Sequence, residues 1–526
     1  MQCTEETVDQ ALVLIQAIFD NTTRIRINGM SNSQSKRKIA NIKDTMKSCI
    51  IDEYGLTKRR RKNNVIPDQV VKATTGLRKL RSHRIAIAGV YHKSIQAMTP
   101  RLIADINPAL ALDYTKVSMD VDVDEDVDVD EDEERKVPLI VNKSIRCYVC
   151  NVAYKTLHTF YDQLCPSCGD INYNKRIQEM TCAGMIALVT GGRVKIGFQI
   201  ALKLLRAGAN VLVTSRFPND TAARYALEAD YAKWAGNIKI YGMDFRNIKL
   251  VENFATHVID VYKRLDILIN NAALTIWRPP EYYKPLMDKE FVAGIKYPTI
   301  VPINDATNGV VTGASSAAAS QLSYSQDNPL LLTNGDDSVV YSGDRHDVDG
   351  QPLDDRKTNS WWHTIDDVST IEMLETMAVN SAAPFMLVSK LKPIMQGKEA
   401  FIINVSSMEG SFTRTFKTSA HPHTNCAKAY LDMITRTSSF EYSKIGIYMN
   451  SVDTGWVTNE NPRPHESSFV PPLDEIDGAM RVLDPIIMAL NEKKLYFGQY
   501  FKDYMIVENG LKNVHIEKPD PSNQVS

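Results

Sequence analysis

From about residue 184 onward the chain alternates between short runs of β-branched residues and longer stretches with helical spacing, and this alternation constrains the fold more than any other feature. MIALVTGG leads into FQIALKLLRAG, then NVLVTSR, AARYALEADYAKWAG, IKIYGMDF and a helical stretch before LDILINNAA. Consecutive β-α units of this kind predict a parallel, doubly wound sheet with helices on both faces. The expected class is α/β. Between about 300 and 358, NGVVTGASSAAASQLSYSQDNP and NGDDSVVYSGDRHDVDGQP are rich in Ser, Gly, Asn and Asp and read as a long, partly disordered surface insertion. The pattern then resumes with a helix across STIEMLETMAVNSAAPFMLVSKL, a strand at AFIINVSS, a helix from about 424 and a strand at IYMNSVDTG.

The first third of the 526 residues has a different texture. Residues 1–115 read as a helix-rich, partly disordered region containing the basic run KRRRK at 58–62. Residues 116–138 form an acidic linker: DVDVDEDVDVDEDEE would repel itself in any packed strand and lacks the glycine of a calcium loop. Residues 139–180 carry two CxxC pairs, Cys147 with Cys150 and Cys165 with Cys168, separated by fourteen residues. Each pair can supply two thiolates to one tetrahedral ion, with a short hairpin between them, so a small zinc ribbon with structural Zn2+ is expected. Four thiolates leave no open catalytic position. The remaining segments are the α/β domain, 184–515, and a polar tail, 516–526.

Charge and hydropathy narrow the function classes. A formal net charge of -2 argues against a generally basic nucleic-acid binder. No stretch approaches the roughly 18 apolar residues of a membrane helix, and the N-terminus lacks the basic start and cleavage site of a secretory signal. We therefore expect a soluble, cytoplasmic chain without membrane contact. KRRRK leaves the nucleus open, and a protein or nucleic-acid contact could run through it or through the ribbon.

In LVTGGRVKIG a strand ends in Gly191 and Gly192 and a helix starts near Gly197, the kind of turn that lets backbone N–H groups approach a pyrophosphate. Asp244 follows the third strand, NNAA the fourth and Ser407 the fifth. Asn380 lies in the helix before Ser407 and Lys428 in the helix after it. In this order the chain resembles the short-chain dehydrogenase/reductase family, whose pattern is TGxxxGxG, an Asp, NNAG, a helix Asn, a Ser, YxxxK and a PG turn followed by Thr. The resemblance runs from about 184 to 515 and implies a Rossmann-type sheet. It implies that Thr190, Gly191, Arg193, Lys195, Ile196 and Gly197 form the phosphate turn, with Lys195 where the middle glycine belongs. It places Asp244 against the adenine, and Asn270, Asn271 and Ala272 below the nicotinamide. Gly455, Val457 and Thr458 fall at the nicotinamide amide, with Thr454 replacing the family's proline. Asn380, Ser407 and Lys428 match three of the four catalytic positions.

The fourth is altered. Four residues before Lys428 stands Thr424, where the family has the tyrosine that moves the substrate proton. An aliphatic hydroxyl is too weak an acid for that task, so either His423, or His421, acts in its place or the substrate carries its own acidic group and needs only hydride transfer and orientation. The second strand ends in Arg216 with no acid to hold a ribose diol, which favours NADP(H) over NAD(H). The implied function is an NADP(H)-dependent oxidoreductase moving hydride between nicotinamide and a small carbonyl or alcohol substrate, in a homo-oligomer. The alternative is a catalytically inactive NADP(H)-binding sensor or scaffold that meets a partner through its ribbon. Around the substrate face lie Trp277, Arg278, Tyr282, Tyr283, Trp361, Trp362 and Trp456.

Overall fold

Each β-branched run becomes a strand. In chain order these are β1 (Ile140–Arg146), β2 (Ala153–Thr156), β3 (Ile186–Val189), β4 (Asn210–Ser215), β5 (Ile238–Gly242), β6 (Ile267–Asn270), β7 (Ile300–Val301), β8 (Ile303–Asp305), β9 (Gly309–Val311), β10 (Ala400–Ser406), β11 (Ile447–Asp453), β12 (Tyr500–Lys502) and β13 (Met505–Ile506). The structure is a computed structural model describing residues 68–82, 84, 138–291, 297–305, 309–311, 316–318, 320–321, 347, 351–412, 414, 417–462 and 470–507. The basic run at 58–62, the acidic linker, most of the N-terminal region and of the insertion, and the polar tail lie outside the described residues. Of the N-terminal region, the helix Asp68–Ala73 and a further helical stretch from 76 are described.

Nine strands form one sheet in the order β13-β12-β11-β10-β6-β3-β4-β5-β7, parallel throughout except for β12 against β13. Alternate side chains face opposite layers, as the two-residue strand period requires. Ala187 and Val189, Val211 and Val213, and Ile267 and Ile269 pack into one core with the helices Lys195–Arg206 and Glu475–Glu492. Leu188, Leu212 and Leu268 point the other way, toward Ile248–Tyr262 and Ala383–Met395. All seven residues of β10 are buried, as in a strand covered on both sides.

The insertion departs from expectation at its ends. Ile300–Val301 adds a strand to the sheet edge beside β5, Ile303 is buried, and Gln351 and Asp354 are buried against the body of the domain. Its flanks are structural rather than superficial, because the first joins the sheet edge and the last pairs with the domain: Gln351 accepts from Arg193 at 2.8 Å and Asp354 pairs with Arg278 at 2.6 Å. Among the described residues, no helix is long and apolar enough to cross a membrane.

From β3 the chain moves outward to β4 and β5, then returns to lay β6 on the other side of β3 and continues to β10 and β11. The reversal opens a crevice beyond the C-terminal ends of β3 and β6, the position where open α/β sheets bind ligands.

Candidate active site

A cleft of about 630 Å³ occupies this crevice. One wall is the glycine turn. Gly191 has φ of 69°, and a Cβ there would lie 2.9 Å from the Ala272 Cα. At Gly197 a Cβ would lie 2.3 Å from the Gly191 carbonyl oxygen and 2.4 Å from Asn271 Nδ2, so no side chain fits. Lys195 stands at φ of 56°, the left-handed conformation that glycine adopts freely and that explains the family's glycine at this place. Thr190 does not line the cleft; its hydroxyl accepts from the Asn271 and Ala272 backbones at 2.9 and 3.0 Å and fixes the turn from behind. Asn271 lines the cleft and donates to the Thr190 and Gly191 carbonyls.

The cations along this wall differ in what balances them. Arg193 pairs with Asp220 at 2.9 Å, and Lys195 lies 3.6 Å from Glu460. Arg216, at the end of β4, lies over the Tyr283 ring at 4.6 Å and donates to its hydroxyl at 3.0 Å, and the charge of Asp244 favours its guanidinium from farther off. Asp244 reaches the cleft, but its carboxylate is clamped by Arg246 at 2.8 Å.

The opposite wall carries hydroxyls, an imidazole and a lysine. Asn270, in β6, does not line the cleft: it donates to Asn404 at 2.8 Å, Asn404 donates to Thr435 at 2.8 Å, and Thr435 meets Ser451 at 2.8 Å. This buried chain of hydrogen bonds registers the helix Pro422–Ser443 against β6, β10 and β11. Thr424 and Lys428 sit one turn apart on the same face of that helix, and both reach the cleft. Ser407 joins them from the end of β10, accepting from the Glu409 backbone at 3.2 Å. Asn380 lies in a π-helical turn, Ala378–Ala382, and exchanges two hydrogen bonds with the Leu274 backbone, at 2.6 and 3.0 Å. It is buried behind the cleft rather than in its lining.

The two histidines point in different directions. His423 is buried with Nε2 3.2 Å from Glu372, beside His363, and is not part of the lining. Burial alone would raise the Glu372 carboxyl, yet hydrogen bonds from His363, His423 and Ser360 hold it down at about 2. The expectation that His423 faces the substrate is therefore replaced by His421, which lines the cleft. Its ring stacks on Trp361, centroids 4.1 Å apart at 7°, and Nδ1 lies 2.9 Å from the Trp361 carbonyl. Nε2 is 3.8 Å from Glu409 and makes no hydrogen bond among the described residues; nor does the Thr424 hydroxyl. Burial pushes His421 below the usual imidazole range, and the charges of Lys417 and Arg414 act in the same direction against the Trp361 hydrogen bond. Lys428 donates to the Val405 carbonyl at 2.8 Å, and burial lowers it to about 8 despite Asp432 and Asp453.

The third side is the turn after β11, where Gly455 (φ 75°), Val457 and Thr458 all line the cleft. Sequence reasoning missed Asp453, whose carboxylate accepts from Gly455 at 2.6 Å and from Met408 at 2.7 Å, tying this turn to the Ser407 loop. An acid closing a strand two residues before a glycine was the available signal. Of the aromatic group, Trp277, Tyr282, Tyr283, Trp361 and Trp456 line the cleft with Arg278, and Trp362 does not. Outside the cleft, the Sγ atoms of Cys147, Cys150, Cys165 and Cys168 all lie within 4.8 Å of one another.

Two family descriptions match these segments: short chain dehydrogenase over residues 185–292, and enoyl-(acyl carrier protein) reductase over 360–469. The uncharacterized protein R665 of Acanthamoeba polyphaga mimivirus is 31% identical over 380 residues, covering 69% of this chain and 75% of that one. Human retinol dehydrogenase 13 is 33% identical over 95 residues, 18% of this chain and 28% of its own length. Among solved structures, the NADPH-bound carbonyl reductase from chicken fatty liver aligns at 19% identity over 60% of this chain and 95% of its own, with a TM-score of 0.37. With strand order, glycine turn, Ser407 and Lys428 in one crevice, and both family segments on the sheet that builds it, the chain belongs to the short-chain dehydrogenase/reductase family.

Proposed function

We propose that the protein is an NADP(H)-dependent oxidoreductase acting on a carbonyl or alcohol, with His421 in the role of the missing tyrosine. The observation that carries this reading is the shared cleft: Ser407, His421, Thr424 and Lys428 line the same space as the glycine turn and the 454–458 turn. The dinucleotide fits the wall where Gly191 and Gly197 exclude any Cβ, since that bare backbone can approach a pyrophosphate. Arg216 would receive the 2′-phosphate, Asn271, Ala272, Gly455, Val457 and Thr458 would flank the nicotinamide, and Lys428 would hold its ribose. When bound, the nicotinamide supplies or accepts the hydride.

The chain's own groups handle the oxygen and the proton. Ser407 Oγ–H donates to the substrate oxygen and stabilises the charge that grows there. The Trp361 carbonyl accepts from Nδ1–H of His421, which fixes the tautomer and leaves Nε2 to exchange the proton with that oxygen. Because burial favours neutral His421, Nε2 is ready as a base in alcohol oxidation, whereas carbonyl reduction needs the protonated ring. Reduction is therefore expected to quicken as pH falls through a window below the usual imidazole range, and oxidation as pH rises through that same window. Thr424 orients the substrate, and Asn380 holds the Leu274 segment that roofs the site. Following the family's habit, we expect a homo-oligomer.

The test is to follow 340 nm absorbance while the purified chain with NADPH meets a panel of aldehydes, ketones and quinones. Oxidation of NADPH supports the enzyme reading. Tight NADPH binding without turnover across the panel moves the reading to a sensor or scaffold.

A further inference from the structure

The four-cysteine module does not hang beside the sheet; it abuts the cofactor cleft. Cys147 is 2% exposed and shares a core cluster with Phe160, Tyr161, Leu164, Leu473 and Val457, with Ile196 packed against it. Val457 and Ile196 also line the cleft, from the 454–458 turn and from the first turn of the phosphate helix. Tyr148, between the first two cysteines, accepts from the Trp456 backbone at 2.9 Å through its hydroxyl.

The module has one fixed half. The helix Pro166–Ile177, which carries Cys168 and follows Cys165, is bound to the helix Glu475–Glu492 and its cap: Arg176 reaches Asp474 at 2.6 Å and Asp477 at 2.8 Å, and Lys175 reaches Asp484 at 2.6 Å. The Cys147–Cys150 knuckle has a backbone bond from Tyr148 to Gln163 and the apolar contacts above, and its two thiols face the fixed pair. Cys150 Sγ and Cys165 Sγ lie 3.7 Å apart, close to the roughly 3.8 Å edge of a tetrahedron with Zn–S bonds of about 2.3 Å. All four thiols are free of disulfides, and a soft, four-thiolate tetrahedral set suits zinc.

We propose that a zinc ion bound by Cys147, Cys150, Cys165 and Cys168 locks Tyr148 and the knuckle onto the 454–458 turn, so that the metal site positions the nicotinamide wall of the cleft. The proposal rests on the dinucleotide reading for its ligand, but the clamp itself is a property of the turn. Tyr148 is a positioning residue: it touches the Trp456 backbone, not the cleft contents.

The experiment uses the full chain. Metal analysis is expected to give one zinc per chain. After the zinc is stripped with a chelator, backbone hydrogen exchange in the 454–458 turn should rise, and NADPH affinity, read by nicotinamide fluorescence, should fall at least tenfold. Tyr148→Phe should keep its zinc and still lose about three- to tenfold in NADPH affinity, the worth of one hydrogen bond. This variant keeps the test open if cysteine variants fail to fold. Absence of zinc from the folded chain overturns the proposal, as does unchanged exchange in the turn after stripping. If the zinc-loaded chain binds no NADPH, the dinucleotide reading fails, and the exchange comparison alone decides the clamp.

Discussion

The two walls of the cleft are built on different chemistry. The dinucleotide wall keeps its backbone logic almost intact: Gly191 and Gly197 leave no room for side chains, and even Lys195, in place of a glycine, keeps the left-handed backbone. The opposite wall carries Ser407 and Lys428 but has a threonine where the family has a phenol, and of the two candidate histidines only His421 lines it. Steric exclusion on the first wall tolerates little change, because a methyl group has nowhere to go. A proton donor on the second can be any group of suitable acidity that reaches the same oxygen.

That contrast can be broken at several points. The largest effect is expected from Gly197→Ala, whose methyl would meet the Gly191 carbonyl and Asn271; admitting it must displace the glycine turn, and NADPH affinity should fall on the order of 100-fold, about 2.7 kcal/mol, measurable by fluorescence titration. Next, His421→Gln should lower kcat by about 10²-fold or more and remove the pH limb assigned to imidazole, whereas His423→Gln should leave the pH profile in place. The latter should instead cost about 1–3 kcal/mol in denaturant stability by removing a partner of buried Glu372. Equal kinetic losses in both variants would erase the distinction between the two histidines.

Lys428 gives a pH signature of its own. Folded, it releases its proton at about 8, while the unfolded chain holds that proton to about 10.4. Between these values the unfolded state binds more protons, so this group makes stability rise with pH. The wild type should gain roughly 3 kcal/mol more than Lys428→Met between pH 8 and 10.5 in denaturant titrations. The smallest effect is expected at Lys195: Lys195→Gly relieves the positive φ and should raise stability by about 0.5 kcal/mol, after the glycine's greater unfolded-state freedom offsets part of the gain.

The fold and the tight glycine turn were legible because both follow from local pattern. Two-residue alternation in runs such as ALV and ILIN sorts their side chains onto opposite sheet faces, and a glycine turn between strand and helix marks the place of close backbone approach. Which of the two histidines lines the cleft was not, because it depends on where one helix begins. His421 is the residue before the helix, at φ of 45°, and Pro422 starts it, so residues two apart face different sides. Asn270 reads as a cofactor contact in a motif, yet its side chain turns to Asn404 in the neighbouring strand. The docking of the cysteine module joins Tyr148 to Trp456 across 308 positions, a contact that no spacing rule encodes.

Fluorescence titration of the full chain with NADPH and NADH, each alone, tests the central claim most directly. The account predicts saturable binding of both at the cleft, with NADPH tighter by about tenfold or more, and loss of that preference in Arg216→Ala. Equal affinity for the two, or no binding of either, would contradict it.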